Sequence, residues 1–450
     1  MRRTHALIVF IAFAFTVMAD PVSSVAYAIE SALDGLDGDL SELFPTMALV
    51  VATVAIVAGT YHQLIARFPA GGGGPEGVAA AFGEGWAFIP LAALLVDFTL
   101  TVAVSCAAGA SALISYLPEL APGRLPISVG LALVVAAGIS LGHRGRVAFA
   151  TATLLFLAGS LVVLVSGISA DPVATTETAP LLGNGEGIAI LLAMPLGMAL
   201  ATGIESPSNA IGQLGDLGER GRRIFGQLTI WLLVAIVGGL TLLLTALAVS
   251  LGIGTPPQDS TLLAEIARAS TGGGAGFAAF QVLTATLLLA AAASAYAAAS
   301  GLLRALALHG ESGRGLIPRR FGVDNRAFVP YWGVVAVCAA SCGLLALVGG
   351  DETSIVGFYA VAVFLSFFAA LTASARLSLR DRRPWALAVN CAGLVPATYV
   401  LVANALRLDG AVSISVTVLV AFALWLSWVR RGRPSGIARS TAEHGHLRRG

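Results

Sequence analysis

Apolar stretches of about twenty residues recur along the whole chain, and this repetition constrains the fold more than any other feature of the sequence. A helix needs about 20 apolar residues to cross the hydrocarbon core of a bilayer. Hydrophobic residues make up 57% of the 450 and charged residues only 11%, whereas a soluble domain carries roughly 25% charged residues. The sequence therefore predicts an all-α integral membrane protein with about 12 transmembrane helices. The predicted spans are residues 6–30, 42–66, 87–114, 126–142, 147–168, 187–212, 225–251, 277–308, 329–349, 353–376, 384–403 and 411–429.

The distribution of arginine predicts how the chain crosses the membrane. All 26 basic residues are arginines. If both termini are cytoplasmic, 23 of them fall in cytoplasmic segments, and the external loops keep only Arg124, Arg268 and Arg407. Cytoplasmic loops of membrane proteins carry an excess of basic residues. We therefore expect a multi-pass protein of the cell membrane with both termini in the cytoplasm.

The segments between the spans leave no room for a soluble catalytic domain, because the longest cytoplasmic loop has about twenty residues. A phosphate-binding GxxxxGK[ST] loop is missing from the sequence. The four cysteines lie in apolar stretches without a nearby histidine and are interpreted as core residues. We expect no enzymatic activity, no cofactor, no transition-metal site and no nucleic-acid partner.

The first span contains a break, "MADPVSSVAYAIES" at residues 18–31, in which Asp20 stands beside Pro21. A charge at bilayer depth is costly, and a proline interrupts the backbone hydrogen bonds of a helix. A cleavable signal peptide with a small-residue site before Asp20 is an alternative interpretation. Apolar character resumes after the pair, which favours an interrupted membrane helix.

A second interrupted span, "MPLGMALATGIESPSNAIGQLG" at residues 194–215, carries Glu205 and Pro207. Unpaired backbone groups are tolerated at membrane depth only where they line a cavity. Two interrupted spans at corresponding positions are the sequence pattern of a transporter site between inverted repeats. The breaks therefore predict a binding site.

The second break occurs five spans after the first, and a repeat with an odd number of spans must insert in the opposite orientation. We therefore expect one transmembrane domain over residues 1–429 and a basic, disordered cytoplasmic tail over residues 430–450. The glycine runs 70–77 and 271–276 are interpreted as flexible connections. Within the domain, the predicted parts are repeat A at 6–168, repeat B at 187–376 and extra helices at 384–429.

Acidic residues inside the spans are few, and the main ones are Asp20, Asp97 and Glu205. No arginine lies in the middle of any span, so these acids have no internal cation partner. A buried carboxylate in this situation needs a bound cation or a proton. Protonatable carboxylates in a transport path are the usual means of coupling to a proton gradient.

Hydroxyl groups accompany these acids at helical spacing. Asp97, Thr101 and Ser105 are spaced by four and lie on one helical stripe. Tyr27 follows Asp20 by seven residues, on nearly the same face, and Tyr359 lies in the tenth span. The alternatives are that the hydroxyls bond to their own helices and that the tyrosines only anchor packing.

With these residues in view, the chain resembles the amino acid–polyamine–organocation (APC) superfamily, over nearly its whole length. Within the superfamily it is most similar to the Kup/KimA-like branch of potassium–proton symporters. The resemblance implies a leucine-transporter-type fold, a 5+5 inverted repeat with discontinuous helices 1 and 6. It places the substrate near mid-membrane, between spans 1, 3, 6, 8 and 10. The motifs that carry it are "DPVSSVAYAIE", "FPAGGGGPEGVA", "LLVDFTLTVAVSCAAG" and "TGIES".

The resemblance also implies roles for individual residues. Glu205 and Asp20 are implied in proton coupling, with Asp97 and Phe98 in support. Phe98 stands where that branch commonly has a tyrosine. The branch's large cytoplasmic C-terminal domain has no counterpart here, so its nucleotide-second-messenger control is not implied. The implied substrate or ion ligands are Asp20, Ser23, Ser24, Tyr27, Thr101, Ser105, Thr202 and Tyr359.

The chemistry of the first break favours a cation over a carboxylate as substrate. Amino-acid members of the superfamily place bare glycine amides there, whereas Asp20 offers a negative charge and Pro21 lacks an amide donor. Hard cations prefer carboxylate and hydroxyl oxygens. The sequence favours proton-coupled uptake of a monovalent cation such as potassium, by a protein that could form a homodimer. A proton-coupled amino acid or polyamine permease and a non-transporting sensor on a permease scaffold remain alternatives.

Overall fold

In the computed structural model, which describes residues 3–142, 145–173, 185, 187–214, 217–309 and 315–439, the chain is folded as helices and connecting segments without a β-strand. Ten of the helices described are long and apolar enough to cross a membrane. All helices of the first half, long and short, are α1 (Arg3–Val17), α2 (Ala19–Ser23), α3 (Val25–Gly35), α4 (Leu43–Arg67), α5 (Gly73–Phe82), α6 (Phe88–Tyr116), α7 (Arg124–Ser140) and α8 (Gly145–Gly167).

The second half begins with an interrupted element, α9 (Gly187–Gly197) and the short α10 (Ser206–Ala210), joined by a 3₁₀ turn at Met198–Ala201. A π-helical turn at Val234–Gly238 joins α11 to α12. The remaining helices are α11 (Glu219–Leu233), α12 (Gly239–Leu251), α13 (Leu262–Thr271), α14 (Ala275–Leu308), α15 (Tyr331–Leu347), α16 (Glu352–Arg380), α17 (Pro384–Ala405) and α18 (Leu408–Arg430).

Ten of the twelve predicted spans correspond to the ten candidate membrane-spanning segments, and two do not. The first, at 6–30, is divided into α1, α2 and α3, because the helix is interrupted on both sides of the Asp20–Pro21 pair. The ninth is α15, which has 17 residues and begins directly after Pro330. Proline favours helix starts because it lacks the amide that would be unpaired there.

The core of the bundle is built around α6, which packs most extensively against α14 and α16. Its buried face is rich in small residues, among them Ala103, Ala107 and Ala110. Small residues let membrane helices approach closely. Helices α7, α8, α17 and α18 lie at the periphery and expose apolar side chains such as Leu133 and Leu419, as a lipid-facing surface requires.

The two ends of the bundle differ in charge, and we name them by it. At the arginine-rich end α4 and α16 finish, and Arg67 pairs there with Asp381. At the acidic end α16 begins at Glu352, and α3 finishes near Asp34. The positive-inside rule assigns the arginine-rich end to the cytoplasm; this orientation stays a prediction.

The glycine run 70–77 is not a flexible connection, and that interpretation is wrong. Residues 71–75 are buried, and α5 begins at Gly73. Gly73 has φ +45°, and a Cβ there would lie 2.4 Å from Asn209 Oδ1. A side chain at this position would clash, so the glycines serve close packing. In contrast, a Cβ on Gly272 would meet no atom within 4 Å.

The carboxyl-terminal tail is also partly packed, against the expectation of disorder. Ile437 is 1% exposed and lies in an apolar cluster with Phe88 of α6 and Leu306 of α14. The backbone N–H of Gly436 donates to Glu84 at 2.8 Å. The expectation of disorder is therefore wrong for residues 433–439, and residues 440–450 of the predicted tail lie outside the described part of the chain.

Candidate functional site

The two interrupted segments meet in the interior of the bundle. Thr202 has an extended backbone (ψ 141°) after the 3₁₀ turn, and Gly203 follows with φ +73°. A Cβ on Gly203 would lie 2.7 Å from Pro21 Cδ and 2.9 Å from Asp20 Oδ2. Only glycine accepts both this conformation and this approach. The break after α9 therefore lies directly against the Asp20–Pro21 pair of α2.

Ser23 and Ser24 stabilise the first break through its backbone. Ser23 Oγ donates to the carbonyl of Asp20 at 2.6 Å. Ser24 Oγ lies 2.7 Å from the carbonyl of Pro21 and 3.4 Å from that of Leu200, so it links the two segments. A hydroxyl that donates its proton keeps lone pairs that can face a cation. Both predicted ligands thus have a structural role that is compatible with cation binding.

Three buried carboxylates lie together at this junction. Asp20, Asp97 and Glu205 are 7%, 3% and 3% exposed. Asp97 interacts electrostatically with both of the others. One oxygen of each (Asp20 Oδ1, Asp97 Oδ1 and Glu205 Oε2) is buried without a hydrogen-bond partner in the described part of the chain. None of the three forms an ion pair with a described residue.

Hydroxyl groups surround the carboxylates. Thr101 Oγ1 and Tyr359 Oη are 2.8 Å apart and join α6 to α16. The Tyr27 hydroxyl interacts with Asp20 and Asp97 and lies beside Tyr359 and Thr202. It is buried and forms no hydrogen bond of normal geometry with any described residue. The structure therefore brings most of the predicted ligands to one place.

Three other predicted residues, Thr202, Ser105 and Phe98, have surroundings that differ from those of the residues above. Thr202 Oγ1 donates to the carbonyl of Ala199 at 2.6 Å, which stabilises the turn before the second break. Ser105 lies one turn beyond Thr101 on α6, and its hydroxyl is fully buried without a partner among the described residues. Phe98 is half-buried and packs against apolar clusters of the core. Its supporting role stays a prediction.

Sequence reasoning missed Tyr61, which lies on α4. Its side chain is 1% exposed, and its hydroxyl is close enough to Glu205 and Asp97 for their charges to act on it. The signal in the sequence is weak, because "TYHQ" stands near the end of the second span and resembles an interfacial segment. Only the packing of α4 against the second break brings Tyr61 to the carboxylates.

The acidic end is closed by a second group of polar contacts. Glu352 Oε2 accepts from Ser111 Oγ at 2.7 Å and from Arg124 Nη1 at 3.2 Å. Glu30 Oε2 accepts from the backbone N–H of Leu262, at the start of α13, at 2.7 Å. A small cavity lies between these groups and is lined also by Tyr27. The sequence placed Glu30 near the end of a span but did not predict these partners.

The chain is similar to known proteins over most of its length. A family model described as amino acid permease matches residues 8–430. The potassium transporter KimA of Bacillus subtilis (strain 168) is 30% identical over 366 residues, which are 78% of this chain. The chain spans 58% of the length of that relative.

Proposed function

Because the chain belongs to the amino acid permease family of the APC superfamily, we propose that it is a secondary active transporter that takes up a monovalent cation such as potassium together with protons. The family is one of transporters, and the ten long apolar helices described make this chain a multi-pass membrane protein. The substrate, the coupling to protons and the alternating-access mechanism are parts of the proposal.

The observation that carries the proposal is the group of three buried carboxylates without a cationic partner among the described residues. Burying even one unpaired charge costs several kcal/mol. A monovalent cation and protons supply the compensating charge, and they can replace one another during a cycle. The hydroxyl oxygens of Tyr27, Thr101 and Tyr359 complete a set of hard ligands. The similarity to a potassium transporter supports the same substrate class.

The positions of the breaks support the finer architecture, a 5+5 inverted repeat. One break follows α1 in the predicted repeat A (6–168), and the other follows α9 in the predicted repeat B (187–376). In such a fold, alternating access results when spans 1, 2, 6 and 7 rock as a unit against the rest. The acidic end would then open to the outside and the arginine-rich end to the cytoplasm.

The roles within the site follow from the chemistry. Asp20 binds the cation together with the hydroxyl oxygens, because it lies at the junction of both breaks. Glu205 carries the coupled proton, because its free oxygen is buried and no arginine among the described residues pairs with it. Asp97 supports both because its charge interacts with the charges of Asp20 and Glu205.

A polyamine or another amine is the second candidate substrate. Three carboxylates provide more negative charge than one monovalent cation neutralises, and several ammonium groups on one chain would match them. An amino acid fits less well, because its carboxylate would approach Asp20. A non-transporting sensor is distinguished from all of these by the absence of flux.

The test is uptake of rubidium tracer into proteoliposomes that contain the purified protein, with and without an inward proton gradient. We expect gradient-stimulated uptake that excess potassium blocks and that a mixture of amino acids and spermidine does not. Asp20→Asn should abolish uptake and binding, whereas Glu205→Gln should keep binding and lose the response to the gradient.

The matched control is Asp171→Asn, which changes an exposed carboxylate outside the helices and should transport like the wild type. Uptake blocked by spermidine rather than potassium would favour the amine. If Asp20→Asn and Glu205→Gln both transported normally, the site assignment would be wrong.

A further inference from the structure

Tyr61 is a buried polar group that the ligand set of the site does not use. Its side chain is 1% exposed, and its hydroxyl forms no hydrogen bond of normal geometry with a described residue. A buried hydroxyl without a partner is unfavourable, and such groups in native structures require an explanation. One explanation is that the hydrogen bond forms in another state of the transport cycle.

The surroundings hold the tyrosine ring in place and set a serine side chain beside its hydroxyl. The ring packs edge-on against Phe367 of α16, with the ring centres 5.8 Å apart. Ser366 lies beside the hydroxyl. A Cβ on Gly74 would lie 3.6 Å from the Tyr61 hydroxyl and 3.3 Å from Ala370 Cβ. The buried glycines at the start of α5 therefore lie directly beside the hydroxyl.

Glu205 provides the matching group. Its Oε2 is buried and, like the Tyr61 hydroxyl, has no hydrogen-bond partner in the described ranges. The Glu205 carboxylate is close enough to interact electrostatically with this hydroxyl. Asn209, one turn after Glu205, packs against Gly73 of the same glycine segment. The Tyr61 hydroxyl and the segment that follows Glu205 thus pack against the same glycines at the start of α5. Tyr61 and Glu205 each have a buried oxygen without a hydrogen-bond partner in the described ranges.

We propose that Tyr61 is a positioning residue for proton release, and that its hydroxyl donates a hydrogen bond to the deprotonated carboxylate of Glu205 when the site opens toward the arginine-rich end. In this step the O–H bond of the Glu205 carboxyl group breaks and its proton passes to cytoplasmic water. Tyr61 keeps its own proton and only donates. This inference rests on the proposed proton-coupled function and adds a residue to it.

The physical reason is the difference between the two protonation states of Glu205. A carboxylate accepts a charge-assisted hydrogen bond from a tyrosine, whereas a protonated carboxyl group gains less from the same donor. The hydroxyl therefore favours the state that has released its proton. Without it, release would need a more alkaline cytoplasmic side.

The experiment measures initial rubidium uptake into proteoliposomes as a function of internal pH, at constant external pH. In Tyr61→Phe we expect the midpoint of this profile to move to higher pH by about one unit, the size expected for a lost hydrogen bond to a charged group. The concentration of potassium that half-blocks uptake should not change. Tyr116→Phe is the matched control, because Tyr116 is 46% exposed at the acidic end.

A double variant tests whether Tyr61 acts through Glu205. In the Glu205→Gln background, Tyr61→Phe should have no further effect on the profile, because the two substitutions remove the same interaction. Tyr61→Phe removes only an oxygen without a partner among the described residues, so its melting temperature should equal or exceed that of the wild type.

The outcomes separate this inference from the function on which it rests. A coupled wild type whose profile is unchanged in Tyr61→Phe would overturn the role of Tyr61 alone. A shift that persists in the Glu205→Gln background, or a changed potassium concentration without a shift, would also overturn it. A wild type whose uptake does not respond to protons would overturn the proposed function and this inference with it.

Discussion

At the scale of single residues, the contact between Gly203 and the Asp20–Pro21 pair decides the shape of the site. Both breaks approach at this point, and a Cβ on Gly203 would lie within 3 Å of both partners. The carboxylate of Asp20 can therefore lie next to the backbone of the second break. A cation bound to Asp20 would also be close to the carbonyl groups that this break leaves without helical partners.

Gly203→Ala should destabilise the protein and reduce transport. The positive φ alone costs alanine about 1–2 kcal/mol, and the clash with Pro21 adds to it. The measurement is the melting temperature in detergent, together with rubidium uptake. The control is Gly130→Ala on α7, where a Cβ meets nothing within 4 Å, and alanine there should be neutral or slightly stabilising. Equal melting temperatures for the two variants would contradict the close contact.

At the scale of the elements, the chain after α18 acts as a clasp. The clasp comprises residues 433–438, and it connects the last helix to the start of α6 and the end of α14. The Trp428 indole donates to the carbonyl of Pro434 at 2.8 Å, and Ser435 O lies 3.1 Å from His309 Nε2. Glu84, which accepts from Gly436, follows Gly83 (φ +100°) in the link between α5 and α6. The clasp therefore holds in place the connection between α5, which begins with the buried glycines, and α6, in the core of the bundle.

Ile437→Asp should release the clasp. Burial of an isoleucine side chain contributes about 1.5–3 kcal/mol, and an aspartate in its apolar cluster would be unpaired. The melting temperature should fall by several degrees, an amount of the order expected for such a loss. Val323→Asp is the matched control, because Val323 is 55% exposed and lies at the same end. If both variants melted like the wild type, the clasp would not contribute to stability.

At the scale of the whole molecule, the charge asymmetry between the ends predicts how the protein lies in the membrane. Glu219 is exposed at the start of α11, next to a group of arginines, and Ser169 is exposed after α8, at the opposite end. The positive-inside rule assigns these two positions to opposite sides of the bilayer. The outward end would then be the one closed by Glu30, Arg124 and Glu352.

In a cysteine-free background, a thiol reagent that cannot cross membranes should label Ser169→Cys in intact cells and should not label Glu219→Cys. After the cells are broken, both positions should react. The two variants are controls for each other, because each is exposed. The reverse pattern in intact cells would invert the proposed orientation and with it the direction of transport.

The sequence by itself determined the membrane class, ten of the twelve predicted spans and the positions of the two breaks. The bilayer makes each of these a local property, because a charge or a proline is costly there whatever its neighbours are. For the same reason Asp20, Asp97 and Glu205 could be selected before any contact was known. The spacing of Thr101 after Asp97 needed only the period of a helix.

Only the tertiary structure decided which polar groups meet. Tyr61 lies on the same side of the site as Glu205 because α4 packs beside the second break, and residues 71–75 are buried, with Gly73 against Asn209. Ile437 lies in an apolar cluster because the start of α6 is close to the ends of α14 and α18. These contacts join residues that are far apart in the chain. Their free energy depends on how well two surfaces fit together, and the sequence of one segment does not contain that information.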